Sequence, residues 1–136
     1  MIEIADESQV SRATLYNHYR DKNAVLSALI ASEVERLVSV AEGAASPVQA
    51  LELLSREISG DAALASMRIH DQELLVAVLS HAENPLYLSL AQCLYELVRT
   101  EAGTGIAMRW LLGQAMQPLT EIQSREQARA LVQGNL

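Results

Sequence analysis

The stretch from Val10 to Leu26, VSRATLYNHYRDKNAVL, is where the charge of this 136-residue chain changes sign. It holds the basic residues Arg12, Arg20 and Lys22 against one acid, Asp21, whereas the rest of the chain holds seven basic and 16 acidic residues. The formal net charge is −7. Because an acidic protein as a whole repels nucleic acid, contact with a polyanion must be made by a local surface of this kind.

The composition is that of a globular protein, with 50% apolar and 20% charged residues. One cysteine, Cys93, excludes an internal disulfide. No apolar run reaches the ~20 residues of a membrane span, and no export signal is present at the start. The sequence therefore predicts a cytoplasmic protein that does not enter the membrane and needs no cofactor.

Apolar residues recur at three- and four-residue steps along almost the whole chain, which predicts an all-α protein of eight or nine helices. Start signals and stop glycines mark the predicted boundaries. The predicted helices begin near Ile2, Ser11, Asp21, Pro47, Asp61, Asp71, Pro85, Ile106 and Ser124, with stops at Gly43, Gly60 and Gly134. The segment EAGTG (101–105) is expected to break the chain, and Ser124 with Gln127 is expected to form a capping box.

The first predicted helices have the layout of a helix-turn-helix module, in which the second helix enters the major groove of DNA. The predicted domains are this module at 1–43 and a second helical domain at 44–136. A helix from Ser11 would place Arg12, Ala13, Tyr16 and Asn17 on one side. Arginine reads guanine edges, asparagine reads adenine, and tyrosine, histidine and lysine reach phosphates. The alternative is an ordinary helical hairpin with a solvated charged face.

Residues 4–30, IADESQVSRATLYNHYRDKNAVLSALI, resemble the DNA-binding signature of the TetR/AcrR family of bacterial transcriptional regulators. The match rests on Ile4-Ala5, Val10-Ser11, Leu15-Tyr16, His18-Tyr19 and Lys22. It covers about residues 2–40. Relative to the family pattern the chain starts inside the motif, so the resemblance implies a fragment that lacks the first helix of the DNA-binding domain.

The resemblance implies a homodimeric repressor that binds a palindromic operator. A small apolar or amphipathic ligand would release it by favouring a different spacing of the two subunits. The implied DNA contacts are Ser11, Arg12, Ala13, Thr14, Tyr16, Asn17, His18, Tyr19 and Lys22.

Two further sets of residues follow from this interpretation, each with a simpler alternative. An apolar ligand cavity is predicted at Met67, His70, Leu75, Tyr87, Leu94, Tyr95 and Met108. A dimer face in the last two helices is predicted at Trp110, Leu111, Gln114, Leu131 and Val132. The alternatives are that the first set is a filled core and that the second packs inside one subunit.

Other functional classes receive less support. A small helical module that binds a protein or a hydrophobic ligand without touching DNA remains the alternative function. A metal or acid–base site at His70, Asp71 and His81 is conceivable, but Asp71 is better explained as a helix cap. Cys93 lies in an apolar helix as a buried thiol or, less favoured, a redox sensor. We expect no enzymatic activity, since the common catalytic motifs do not occur.

Overall fold

Every regular element in the described part of the chain is helical. The computed structural model describes residues 12–80 and 85–133, and for residues 12–23, 26 and 86 it describes the backbone alone. The elements are α1 (Arg12–Glu42), α2 (Pro47–Ser59), α3 (Ala62–His70), α4 (Gln72–Leu79), a 3₁₀ turn (Pro85–Tyr87), α5 (Leu88–Val98), α6 (Glu101–Met116) and α7 (Glu121–Gln133). The all-α prediction is confirmed for these ranges. The expected helix at Ile2 and the stop at Gly134 lie outside the described residues.

The chain divides into two compact units, Met1–Glu33 and Val34–Leu136. The division falls inside α1, whereas the sequence placed the domain boundary after residue 43. None of the helices within the described ranges is long and apolar enough to cross a membrane.

Helix α1 is continuous for 31 residues, from Arg12 to Glu42. The sequence predicted two helices here, one ending near His18 and a second capped by Asp21. That prediction is wrong, because the backbone is helical without a break between them. The physical reason is the absence of a breaker, because α1 contains no glycine and no proline. Aspartate favours a cap but costs well under 1 kcal/mol inside a helix. The helix ends just before Gly43, as predicted.

The next three helix starts follow the predicted caps. Ser46 precedes Pro47, and its hydroxyl accepts a hydrogen bond from the backbone of Gln49 at 3.2 Å. Asp61 and Asp71 accept from the backbone N–H three residues later at 2.9 and 3.2 Å, and so begin α3 and α4. Each cap satisfies one of the free N–H groups at a helix start. Gly60 is the predicted stop of α2.

The predicted break at 101–105 is wrong, because α6 begins at Glu101 and runs through both glycines. Thr100 caps it, with Oγ1 accepting from the backbone N–H of Gly103 at 2.9 Å. Each glycine inside a helix costs about 1 kcal/mol, so the Thr100 cap offsets about one of the two and packing of the helix must offset the other. A Cβ at Gly103 would lie 2.7 Å from Thr100 Oγ1, so the small residue permits the capped start to pack closely.

The last helix also begins earlier than predicted, at Glu121. Thr120 and Gln123 form the capping box, since Thr120 Oγ1 accepts from the backbone of Gln123 at 3.1 Å and Gln123 Oε1 accepts from the backbone of Thr120 at 3.0 Å. The predicted box at Ser124 and Gln127 has the same residue pattern one turn later. It is wrong because Ser124 is buried and Gln127 accepts from Trp110 Nε1 at 2.7 Å.

Helix α2 lies at the centre of the second unit and packs against α5, α6 and α7. Leucine and alanine dominate the buried surface, in keeping with the close packing of helices through small and branched side chains. The buried apolar residues are Val34, Leu37, Ala41, Ala50, Leu51, Leu54, Ile58, Leu75, Tyr87, Leu90, Leu94, Ala107, Leu111, Ala115, Ala128 and Leu131.

Candidate functional sites

The predicted DNA-contacting segment forms the first three turns of α1. Residues 12–22 are helical, and Ser11 lies outside the described residues. At 100° per residue, positions 12, 16, 19 and 20 fall on one side of such a helix. The continuity of α1 therefore adds Arg20 to the stripe that holds Arg12, Tyr16 and Tyr19. Ala13 and Asn17 come next around the helix, beside position 20, and Thr14, His18 and Lys22 lie on the remaining sides.

The residues predicted to line a ligand cavity differ widely in exposure. Leu75 and Leu94 are completely buried, and Tyr87 is 6% exposed with its hydroxyl donating to the backbone carbonyl of Val78 at 3.1 Å. Burial raises the pKa of Tyr87. Met67 and Met108 are half-buried, whereas His70 and Tyr95 are exposed. Seven side chains spread from core to surface do not form the wall of one enclosed cavity.

Tyr95 instead borders a depression on the surface of α5. Its lining includes Ala91, Gln92, Tyr95 and Glu96, and its volume is about 430 Å³. These four residues lie on one face of one helix, at steps of one, three and four residues. A concave site that encloses a ligand needs walls from several elements. The depression therefore does not correspond to the ligand cavity predicted from the sequence.

Three of the five residues predicted for a dimer face are covered within one chain. Leu111 is 0% exposed, Gln114 is 2% exposed and Leu131 is 8% exposed. Trp110 and Val132 are half-buried, and Trp110 Nε1 donates to Gln127 Oε1, which joins α6 to α7. Leu111 and Gln114 on α6 and Leu131 on α7 thus pack inside the subunit, which was the simpler alternative.

A buried polar cluster, Ser55, Ser59, Gln114 and Ser124, joins α2, α6 and α7, and the sequence interpretation missed it. Ser55 Oγ lies 2.6 Å from both Gln114 Oε1 and Ser124 Oγ. Ser59 Oγ lies 2.6 Å from Gln114 Oε1 and accepts from the backbone N–H of Leu119 at 3.0 Å. The signal in the sequence is Ser55, a polar residue in the buried stripe of α2.

The direction of these hydrogen bonds follows from the number of protons. Ser55 has one hydroxyl proton, so it cannot donate to both neighbours. The consistent arrangement has Ser124 donating to Ser55, while Ser55 and Ser59 both donate to the two lone pairs of Gln114 Oε1. Distances of 2.6 Å suit O–H···O bonds and so place the oxygen of the amide toward the serines. Gln114 Nε2 is then buried without a partner among the described residues.

Charged side chains tie the surface of the same helices together. Glu52 accepts from Arg125 Nε at 3.0 Å and lies 3.6 Å from Arg56 Nη2, and Arg36 lies 2.6 Å from Glu57. These pairs are partly exposed, and each contributes at most about 1 kcal/mol. Arg68 Nη1 also donates to the backbone carbonyl of Ala115 at 2.6 Å, near the end of α6. A cation at that position satisfies a carbonyl that the helix leaves free.

Cys93 is half-buried on α5. Burial, followed by the nearby carboxylates of Glu42 and Glu96, raises the pKa of its thiol. A raised pKa keeps the thiol protonated near neutral pH and lowers its reactivity, because the thiolate is the nucleophile. This environment favours an inert cysteine over a redox sensor.

Within residues 12–80 and 85–133, no group of three or more histidine, cysteine or carboxylate side chains is placed to hold a metal ion. His81, one member of the conceivable metal or acid–base site, lies outside the described residues. Asp71 acts as the cap of α4, as the sequence predicted.

Comparison with known proteins yields no match. No protein-family model matches the chain, no curated protein matches it, and no solved structure matches its fold.

Proposed function

We propose that this chain is a sequence-specific DNA-binding regulator that contacts duplex DNA through residues 11–22. The observation that carries the proposal is the separation of charge. Residues 12–22 hold three basic residues and one acid at the start of a 31-residue helix, in a chain of net charge −7. A helix fits the major groove of B-DNA, which is about 12 Å wide.

The residue types along this segment divide between reading bases and holding the backbone. The guanidinium group of Arg12 suits the guanine edge, and the side-chain amide of Asn17 suits the adenine edge. Lys22 and the tyrosine hydroxyls supply phosphate contacts, which fix orientation and provide most of the non-specific affinity. Both kinds of contact lie within three turns of one helix, so a single docking geometry can use them together.

The same proposal includes a homodimer and a repressor role. A two-fold protein matches a palindromic operator, and its half-sites lie one helical turn of DNA apart. The dimer surface must involve residues other than Leu111, Gln114 and Leu131, since these are covered within the subunit. A small apolar or amphipathic ligand that binds the second unit would shift the population of dimers away from the DNA-binding spacing.

The test is selection of bound duplexes from a random pool, followed by binding measurements on the enriched sequence. We expect the protein to bind the enriched duplex more tightly than a scrambled one. Arg12→Ala and Asn17→Ala should each remove about 1–3 kcal/mol of that preference, because one bidentate base contact is worth this much. The matched control is Arg129→Ala, which removes one positive charge from an exposed position on α7.

Equal binding to the enriched and scrambled duplexes by both the wild type and Arg12→Ala would contradict base readout. A pool that shows no enrichment and no salt-dependent binding at all would exclude DNA as the ligand.

A module that binds another protein is the second candidate, and exposed apolar side chains favour it. On α1, Val25 is 60% exposed and Leu29 is 62% exposed, one turn apart. Exposed apolar groups that lie together mark surfaces for partners. This function predicts that Val25→Ser with Leu29→Ser abolishes partner binding while Lys22→Ala leaves it unchanged.

A further inference from the structure

The polar cluster of Ser55, Ser59, Gln114 and Ser124 lies in a region where apolar side chains would fill the same space. Ser55, Gln114 and Ser124 are 0%, 2% and 1% exposed, and the other buried residues of their three helices are mostly apolar. Gln114 Nε2 has no hydrogen-bond partner among the described residues. A buried donor without a partner opposes folding, so the cluster is not the arrangement that would maximise stability.

The apolar stripes of the three helices do not by themselves define how far one helix is displaced along another. Buried residues recur about once per turn at Leu51, Leu54 and Ile58 on α2, and at Ala107, Leu111 and Ala115 on α6. Ala128 and Leu131 continue the pattern on α7. A shift by one turn, about 5.4 Å along the axis, would still place apolar side chains against apolar side chains, although on α6 Leu111 would exchange places with Ala107 or Ala115.

The polar cluster breaks this near-equivalence. In a shifted arrangement, Ser55 and Ser124 would face apolar side chains and Gln114 Oε1 would lose both hydroxyl donors. Buried polar groups without partners are strongly unfavourable. Ser59 adds a second anchor at the end of α2, because its hydroxyl accepts from the Leu119 N–H in the link between α6 and α7. The observed hydrogen bonds exist in one register alone.

We propose that this cluster selects the axial register of α2 against α6 and α7, as a specificity device that the apolar core lacks. The cluster acts by making the shifted registers unfavourable, because its polar groups would be buried there without partners. It need not add stability to the observed register. A single buried polar group can set the register of packed helices in this way.

The test compares the wild type with a triple variant, Ser55→Ala, Gln114→Leu and Ser124→Ala. Ser59 is kept, because it is half-buried and still serves Leu119. Spin labels at exposed positions Gln49 and Glu121, in a Cys93→Ser background, report the displacement of α2 against α7 by pulsed electron resonance. We expect one narrow distance in the wild type. In the triple variant we expect an unchanged or higher urea midpoint together with a second distance population of about one-tenth or more.

Two further variants make the result decisive. Ile58→Val trims the buried apolar surface without touching the cluster and should lower the midpoint while keeping one distance. Gln114→Leu alone leaves the buried Ser55–Ser124 pair with two hydroxyl protons and only one hydrogen bond between them, so its midpoint should fall below that of the triple variant.

A single narrow wild-type distance in the triple variant would overturn the proposal. So would failure of the triple variant to fold, since the cluster would then act as a source of stability. Equal midpoints for Gln114→Leu and the triple variant would also overturn it, because the hydrogen bonds would not be coupled. DNA binding plays no part in these measurements.

Discussion

Replacing Leu111 by alanine tests whether the stripe on α6 belongs to the core of one subunit. Leu111 is 0% exposed, and the substitution removes three carbon atoms from that site. At about 0.8 kcal/mol for each buried carbon group the transfer term is about 2.4 kcal/mol. The cavity left behind raises the expected loss of unfolding free energy to about 3 kcal/mol, within the ~2–5 kcal/mol range for such changes.

Urea unfolding followed by circular dichroism measures this loss. With a slope of about 2 kcal/mol per M, the midpoint should fall by about 1.5 M at unchanged slope. The matched control is Ile106→Ala on the same helix, which removes the same number of carbons from a side chain that is 43% exposed. Because somewhat more than half of that residue is buried, its loss should be about 1.4 kcal/mol, about half of that expected for Leu111→Ala. An unchanged midpoint for Leu111→Ala, with dissociation of a dimer in sedimentation, would refute the buried placement and restore the interface interpretation.

Three further predictions concern the helix start at Thr100, the thiol and the basic segment. Gly103→Ala should destabilise the protein by about 1 kcal/mol or more in thermal unfolding, because the added Cβ would lie 2.7 Å from the hydroxyl of the capping Thr100. Gly105→Ala should instead stabilise it by up to about 1 kcal/mol, because the space at its Cβ is open. Equal effects of the two substitutions would contradict the close packing of Gly103 against Thr100. Because the carboxylate of Glu96 helps to raise the pKa of the Cys93 thiol, Glu96→Gln should speed alkylation of Cys93 at pH 8. The contribution of the thiol to stability should be present below the pKa of the thiol in the unfolded chain and be lost as the pH rises through its pKa in the folded protein. An unchanged alkylation rate in Glu96→Gln would exclude the Glu96 carboxylate as a cause of the raised pKa. Lys22→Ala should flatten the slope of log binding constant against log salt for any duplex by about one, while Arg129→Ala leaves it unchanged; equal slopes for all three proteins would exclude a phosphate contact at Lys22.

The sequence predicted helix starts correctly where a cap residue can accept a hydrogen bond from the backbone N–H groups of the next few residues. Ser46, Asp61 and Asp71 cap their helices in the structure because a short oxygen-bearing side chain reaches the free N–H groups three residues on. Such an interaction depends on a few neighbouring residues, and for that reason it is readable from the sequence.

The signals that failed were those whose outcome depends on packing. Gly103 and Gly105 suggested a break, yet tertiary packing and the Thr100 cap keep them inside α6. Two identical capping patterns occur one turn apart, and burial of Ser124 leaves the earlier one to start α7. No local rule ranks these choices, since the deciding contacts come from residues distant in the chain.

The same limit applies to the sites. The sequence pattern assigned Leu111, Gln114 and Leu131 to the last two helices, but a buried helix face looks the same whether its partner is another helix of the chain or a second subunit. The polar cluster depends on Ser55 meeting residues 59 and 69 positions away, a pairing that no short motif encodes. The basic segment at Arg12 to Lys22 needs no such pairing, because charge clustering is visible in the sequence itself.

The most direct measurement of the central claim is titration of the ¹⁵N-labelled protein with the enriched duplex, observed amide by amide. We predict that the largest shifts fall on residues 11–22 and weaken as salt is raised, with small changes in α2 to α7. Shifts confined to residues 34–133, with the amides of Arg12, Tyr16 and Asn17 unmoved at saturating duplex, would contradict the claim that this segment meets DNA.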